Sequence, residues 1–331
     1  LKFFSHEFLW QTWSGRIAFV NLVVFLNMIR SSGSVWMPDP ETIIAFGAKD
    51  PVLLATGEGW RVLTNIFEHI GFLHFLMNMA ALKNVGPQIE EIAGRNWFLL
   101  VYLLSGVCGS LISNEFSLSV SAGASGSIMG LLGFGLFVEW QLRRRVTEIT
   151  GKSPKLGVYF INTVFIVLLG LTIPNIDNAA HIGGLLVGFA VGFVVLCVKP
   201  NRLLKLRKRT GAAILVAIIL LTAFLFSRAV DDEKIYARYA ARAETAESLP
   251  EKWYSLTQLS RMRPTDMSVR LKRLQIMIDG GEFDMAVEEV AECVKIGCDQ
   301  GELNAYFGLL ELDGRKQLAD RLRDLLPSTQ H

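Results

Sequence analysis

Three of the five histidines in this 331-residue chain sit where a histidine is costly. His69, His74 and His181 fall in long apolar runs, whereas His6 and His331 lie near the ends. Ionisable side chains inside such runs usually face a bundle interior or a wet cavity. Further polar groups stand near them at suggestive intervals. His74 and Asn78 are i and i+4, so on a helix they share a face and can aim hydrogen-bond donors at one point. Gly123-Ala124-Ser125-Gly126 sets a serine among small residues. Gly126 and Gly130 are four apart, as are Gly184, Gly188 and Gly192 just after His181. Small residues at that spacing let two helix backbones approach closely. Close approach is what brings a serine hydroxyl within about 3 Å of an imidazole. A nucleophile, a base and oxyanion donors are the minimum set for acyl transfer. Plainer explanations exist for each feature alone: interhelical hydrogen bonding for His74 and Asn78, and helix packing for the glycines.

The elements that must position these residues follow from hydropathy. About 20 apolar residues cross a bilayer as a helix. Residues 96–114, 116–138, 156–176 and 210–227 carry no charge, and 178–198 carry only His181. Residues 17–37 contain only Arg30, and 69–89 contain Lys83 with two histidines. These windows predict seven spans. Basic loops orient them. Residues 141–156 hold Arg143, Arg144, Arg145, Lys152 and Lys155, and 199–209 hold six basic residues and no acid. Two spans separate these loops, so both lie on one side, expected to be the cytoplasm. The N-terminus is then cytoplasmic and the C-terminal part outside. Spans two, four and six all run inward, which sets the three histidines and Ser125 at similar depth near the outer face.

Composition agrees with a membrane protein. Hydrophobic residues make up 51% of the chain and charged residues 19%, against about 25% in an average soluble domain. This argues against a soluble enzyme and against disorder. The net charge of +2 points to no nucleic-acid partner, yet it conceals a split. Residues 1–230 hold 19 Lys/Arg and 12 Asp/Glu, and residues 231–331 hold 14 and 19. No Cys-x-x-Cys or Cys/His metal spacing occurs among the four cysteines, so no metal site is expected from them. Cys108 and Cys197 lie in apolar runs and read as small packing residues. No signal-peptide pattern is evident at Leu1.

Taken together, these motifs resemble the rhomboid family of intramembrane serine proteases. Trp60-Arg61, His69, His74 and Asn78 stand at that family's spacing, followed by Glu90 and Gly94. Gly123-Ala124-Ser125-Gly126 resembles its nucleophile motif, and Ala180-His181-Ile182-Gly183-Gly184 its base motif. The likeness covers roughly residues 15–198, with motifs in order on spans two, four and six. It implies Ser125 as nucleophile and His181 as general base in a dyad without a carboxylate. It implies His74, Asn78 and the Ser125 backbone N–H as oxyanion donors. Trp60 and Arg61 would belong to an outer loop beside the bundle, and Glu90 would hold that loop and span two. His69, Gly123, Gly126 and Gly184 would support the site. One position departs from the pattern. The best-known members carry Tyr four residues after the nucleophile, stacked on the base, where this chain has Met129. Methionine can meet an imidazole face through sulfur, but it offers no hydroxyl and is more flexible.

The resemblance implies an all-α polytopic membrane bundle, with a rhomboid-like six-helix core and one extra span. The expected organisation is an interfacial segment at 1–15, the core at 16–198, and a basic inner loop with a seventh span at 199–230. A soluble helical domain at 231–331 follows. Substrates would be single-span membrane proteins cut near the outer face of a bacterial inner membrane, and lipids would be further partners. The basic inner loop could attract anionic headgroups. Within the last domain, residues 268–296 read as two helices around Gly280-Gly281 and faintly resemble a tetratricopeptide hairpin, without a convincing 34-residue repeat. Such a domain could take a protein partner. Cys293 and Cys298 could pair there, although their spacing on a single helix would be poor for a disulfide. Two other readings compete with this one. A catalytically silent relative that binds or escorts membrane proteins would typically lack the serine or the histidine, and both are present. A transporter would want a polar path, but the inner halves of spans four and six are apolar and glycine-rich.

Overall fold

The structure is a computed structural model that describes residues 6–151, 157–173, 176–198 and 208–327. Lys152, Lys155, most of the basic stretch 199–209, and His331 lie outside the described residues. The chain forms an all-α polytopic bundle, and among the described residues the only β pairing is one isolated bridge, Lys49 with Ser121. It divides into two compact units, Leu1–Val230 and Asp231–His331.

In the first unit, α1 (His6–Gln11) leads into α2 (Trp13–Ser32), which starts where the Thr12 side chain accepts the Gly15 N–H and stops at left-handed Gly33. Three short helices follow: α3 (Pro40–Phe46), α4 (Pro51–Ala55) and α5 (Arg61–Thr64), the last running into a 3₁₀ turn at Asn65–Phe67. Asp39 caps α3 and Asp50 caps α4, each with proline just inside the helix, a combination that fixes short helices in an otherwise irregular segment. The long helices are α6 (Phe72–Ala93), α7 (Arg95–Phe116), α8 (Ser125–Thr150), α9 (Val158–Thr172), α10 (Asn178–Val198) and α11 (Lys208–Ala229). Arg95–Phe116, Asn178–Val195 and Thr210–Ala229 are long and apolar enough to cross a membrane by length and composition, and α9 is a shorter apolar helix.

One boundary differs from the hydropathy reading. The uncharged window 116–138 runs unbroken from Phe116, but α7 continues to that residue and α8 begins only at Ser125. The intervening loop contains Gly123 at φ 147°, a backbone state closed to an ordinary helical residue. Hydropathy cannot see this interruption, because serine, alanine and glycine are tolerated in spans.

The core of this unit lies where α6, α7, α8 and α10 meet. Phe25 of α2 stacks on Phe75 of α6 at 4.6 Å, and Phe98, Tyr102, Met129 and Phe134 are fully enclosed. The closest approach is between α8 and α10. A Cβ on Gly184 would overlap the carbonyl oxygen of Gly126, and one on Gly188 would overlap that of Gly130. On the other face of α10, a Cβ on Gly109 of α7 would stand 2.8 Å from the Ala180 carbonyl oxygen. Here main chain touches main chain, the contact that small-residue spacing permits. α11 packs against α7 and α10, with Thr222 Oγ1 3.0 Å from Cys108 Sγ and Arg228 bonded to Glu115 at 3.2 Å.

The second unit is a succession of three helical hairpins: α12 (Asp232–Thr245) with α13 (Leu249–Met262), α14 (Met267–Asp279) with α15 (Phe283–Ile296), and α16 (Gln300–Leu312) with α17 (Lys316–Arg323). The first helices of the pairs begin 35 and 33 residues apart, the second helices 34 and 33. The sequence showed only the middle hairpin, because the outer two bury fewer large side chains. Arg270 and Glu289, both nearly inaccessible, pair at 2.6 Å between α14 and α15.

Cys293 and Cys298 do not share a helix. Gly297 caps α15 in the left-handed conformation, the Cys298 N–H reaches the Cys293 carbonyl at 2.9 Å, and the Gly297 N–H reaches Val294 at 3.2 Å. This cap turns the chain back so that Cys298 lies over Cys293. Burial, first of all, and then Cys298 push the Cys293 thiol up to about 12. A thiol so raised has little thiolate at neutral pH. Cys293 is therefore expected to resist iodoacetamide at pH 8 in the folded chain and to react fully once denatured. Mass spectrometry of the two samples checks this, and equal rates would contradict it.

Candidate active site

The helices α6, α8 and α10 all begin at one end of the bundle, and their first turns converge. Ser125 is the first residue of α8, presented by the loop 117–124. That loop is pinned twice to the segment between α2 and α6. Lys49 and Ser121 exchange backbone hydrogen bonds of 2.9 and 3.0 Å, and the Gly123 N–H donates to the Asn65 carbonyl at 2.8 Å. At Gly123 the positive φ excludes a side chain, and so does space: a Cβ would lie 2.7 Å from His74 Cε1 and 3.0 Å from its Nε2. The His74 ring therefore lies directly against the turn that delivers Ser125.

His181 sits in the first turn of α10, buried, with Nε2 2.8 Å from Ser125 Oγ. Its Nδ1 has no hydrogen-bond partner among the described residues. With the proton on Nδ1, Nε2 is free to accept the serine hydroxyl proton. The glycine contacts between α8 and α10 make this distance possible. A larger residue at Gly184 or Gly188 would force the two backbones, and with them the two side chains, apart.

His74 takes the complementary tautomer. Its Nδ1 accepts the Ile70 N–H at 3.3 Å, which leaves the proton on Nε2, the nitrogen that faces Gly123. A donor thus stands beside the serine turn. Asn78 is one turn further along α6 and nearly buried, and its Nδ2 donates to the His74 carbonyl at 2.9 Å. One amide hydrogen is thereby engaged by its own helix and the second remains. His69 is fully enclosed, with its ring 5.3 Å from that of His74 and edge-on to Phe75 at 5.4 Å. Met129 lies one turn below Ser125 and is completely buried.

Trp60 and Arg61 belong to the segment between α2 and α6. Arg61 donates to the carbonyls of Ile44 at 2.6 Å and Ala48 at 3.0 Å, pairs with Glu58 at 2.7 Å, and stacks on Trp60 at 4.7 Å. It ties the end of α3 to the approach to α4. Glu90 lies elsewhere. It is three residues from the C-terminal end of α6, and Gly71 precedes that helix at the serine end. A 22-residue helix is about 33 Å long, so Glu90 is far from the loop it was expected to hold. Its Oε2 accepts the Trp13 N–H at 2.8 Å and the Ser14 N–H at 3.5 Å, and its Oε1 pairs with Arg95 at 3.6 Å. A carboxylate at a helix N-terminus satisfies free N–H groups and opposes the helix dipole, so Glu90 fastens α2 to α6.

Several polar residues near the serine were not singled out in the sequence. Asn65 bonds the Arg61 carbonyl through Nδ2 and accepts the Ser110 hydroxyl at 2.9 Å through Oδ1. Lys49, Ser113 and Asp177 form a hydrogen-bonded series in which the first two are enclosed and Asp177 is half-buried. A cavity of about 20 Å3, lined in part by Asn65, Ser110, Gly123, Ser125 and Asp177, opens beside the serine. The available signal was the run of Ser105, Ser110, Ser113 and Asn114 in an otherwise apolar window. Among the described residues no group of three or more His, Cys, Asp and Glu stands ready for a metal ion.

Comparison with known proteins adds to this geometry. A family model described as "Rhomboid domain" matches residues 56–197. "Rhomboid protease GluP" of Bacillus subtilis (strain 168) is 34% identical over 281 residues, which is 83% of this chain and 53% of that protein. "RHOMBOID-like protein 5" of Arabidopsis thaliana is 36% identical over 165 residues, 48% of this chain and 51% of that protein. "Rhomboid-like protease 2" of Toxoplasma gondii is 30% identical over 222 residues, 63% of this chain and 76% of that protein. The chain thus spans about half the length of the first two.

Proposed function

Because this chain belongs to the rhomboid family, we propose that it is an intramembrane serine endopeptidase in which Ser125 is the nucleophile and His181 the general base. The observation that carries this reading is the 2.8 Å contact between Ser125 Oγ and His181 Nε2, made inside a helix pair packed backbone to backbone. Ser125 Oγ attacks the scissile carbonyl while His181 Nε2 takes its proton, then returns it to the leaving amine. Negative charge develops on the carbonyl oxygen. The Ser125 backbone N–H, His74 Nε2–H and the second Asn78 amide hydrogen are the donors for it. Water then cleaves the acyl-enzyme by the same route with His181 again as base.

The substrates in this reading are single-span membrane proteins. A peptide bond in an intact helix has its backbone groups paired and must unwind before a serine can reach it. Cleavage occurs near the outer face of a bacterial inner membrane, with the N-terminus cytoplasmic and residues 231–331 outside. The excess of Arg and Lys in 141–156 and 199–209 supports that orientation.

A fluorophosphonate probe tests the dyad without knowledge of the substrate. Labelling of the detergent-solubilised chain at Ser125, lost in Ser125→Ala, is expected. Absence of labelling in the intact sequence would favour a silent relative that only binds membrane proteins. The pH profile is a second test. Only neutral His181 can accept the serine proton, so cleavage is expected to fall as acid protonates the imidazole. A rate that stays flat through histidine's titration range would contradict the role of His181 as base.

A further inference from the structure

The base in this site has no carboxylate against its Nδ1, yet a carboxylate caps the helix that carries it. Asp177 Oδ1 accepts the Ala180 N–H at 3.0 Å, and its carbonyl accepts the N–H of His181 itself at 3.1 Å. The other oxygen, Oδ2, accepts the Ser113 hydroxyl of α7 at 2.6 Å, and the Lys49 ammonium donates to that hydroxyl at 2.8 Å. Lys49 and Ser113 are completely enclosed. The Lys49 backbone is the strand-like bridge to Ser121, four residues before the nucleophile. One short series of contacts therefore joins the loop that delivers Ser125 to the helix cap that orients His181.

We propose that Lys49, Ser113 and Asp177 are positioning residues for the Ser125–His181 pair, fixing the first turn of α10 against the serine loop. In this arrangement the Asp177 charge stabilises the imidazolium formed during the reaction. The inference rests on the proteolytic reading above and deepens it. An ammonium withdrawn from water is costly unless paired, so a wholly buried lysine at this place is not a packing residue. Ser113 passes the interaction on because its hydroxyl both accepts from Lys49 and donates to Asp177. Asp177 then does two things at once. It satisfies a free N–H of the first turn of α10, and it sets a negative charge one turn from the imidazole, where i and i+4 positions are neighbours. It takes the electrostatic part of a third triad member without touching the ring.

The charged and titratable groups around His181 among the described residues are few. Asp177 lies on its own helix, His74 comes from α6, and Lys49 comes from the segment before α6. α7 and α8 contribute hydroxyls there, Ser113 and Ser125. Of the remaining titratable groups at this end, Arg61 is paired with Glu58, Arg228 with Glu115, Glu68 lies beside Gly47, buried Asp50 follows Lys49 and caps α4, and His69 stands against His74.

The test uses the full chain in detergent with Asp177→Asn, Lys49→Gln, Lys49→Arg and the Asp177→Asn/Lys49→Gln pair. Asparagine caps a helix as well as aspartate does, so Asp177→Asn removes charge with little harm to the fold. Thermal unfolding of each variant verifies this. The probe-labelling rate is expected to fall roughly 10- to 100-fold in Asp177→Asn and Lys49→Gln, the scale of a small misplacement of reacting groups. Lys49→Arg is expected to recover part of it. The acid limb of the rate should move in opposite directions, to lower pH in Asp177→Asn and to higher pH in Lys49→Gln. A purely structural role would leave the limb in place. Titration of His181 by NMR reads the same shifts without requiring activity. If the intact sequence takes no probe, the proteolytic reading falls, and the NMR midpoint alone decides the relay. Folded variants with an unmoved His181 midpoint overturn the relay, whatever their labelling rate.

Discussion

Ser125→Ala is expected to abolish cleavage of a single-span substrate reconstituted with the protein in liposomes, and His181→Ala to do the same. Each loss should be about 10⁴-fold or more, the scale seen when a nucleophile or its base is removed from a serine hydrolase. The two side chains act as one unit through the 2.8 Å contact, so the double variant should be no worse than either single one. Neither substitution should harm the fold. The serine is at the very start of α8, and the histidine is held by its backbone bond to Asp177 rather than by its ring. His74→Ala removes only one oxyanion donor and should cost roughly 10²- to 10³-fold. A gel assay of substrate fragments reads all four. Appreciable cleavage by both Ser125→Ala and His181→Ala would end the dyad reading.

The second large effect concerns the glycines between α8 and α10. Gly188→Ala places a methyl on the Gly130 carbonyl, and Gly184→Ala places one on that of Gly126. Neither obstacle is a flexible side chain, so the helices themselves must separate. Overpacking typically costs about 1–3 kcal/mol, and a clash with main chain belongs at or above the upper end of that range. Within lipid there is little hydrophobic force to press the helices back together. Both variants should melt well below the intact chain in detergent and lose probe labelling even where folded, because the Ser125–His181 distance opens. Controls lie in the same sequence. A methyl at Gly126 would meet nothing nearer than the Ala180 carbonyl oxygen at 3.5 Å, and one at Gly192 would touch the Phe137 side chain at 3.1 Å. Gly126→Ala and Gly192→Ala should therefore unfold much nearer the intact chain. Equal melting temperatures across the series would mean that the close helix approach does not hold the bundle together.

The parts of the molecule that could be read from the sequence share a physical cause. Ser125, His181 and His74 stood out because a polar side chain in an apolar span needs a reason, and the glycine spacing told which helices could meet. What escaped were features without a hydropathy signature. The break before Ser125 is made of residues that spans tolerate, so the uncharged window at 116–138 runs through it unmarked. The spacing of Glu90 in a motif says nothing about which neighbour reaches it, so its partner, the N-terminus of α2, is seen only in the fold. Lys49 was invisible because a lysine in a loop is ordinarily solvated, and only the fold encloses it. The repeat in the second unit was missed because its period resides in helix boundaries and caps, such as Asp231, Ser248, Asp266 and Asp299, more than in matching core residues.

The seat of α11 changes how the molecule meets its surroundings in two dimensions. A protein diffusing in a bilayer is approached from around its rim, and every flank is in principle a door. By lying along α7 and α10, with its end bound to Glu115 and Phe226 beside Gly59, α11 shuts the flank nearest the helix of His181. On the proteolytic reading proposed above, a substrate approaches through the remaining arc, and the appended helix is a fence that sets the direction of approach before any side chain is recognised.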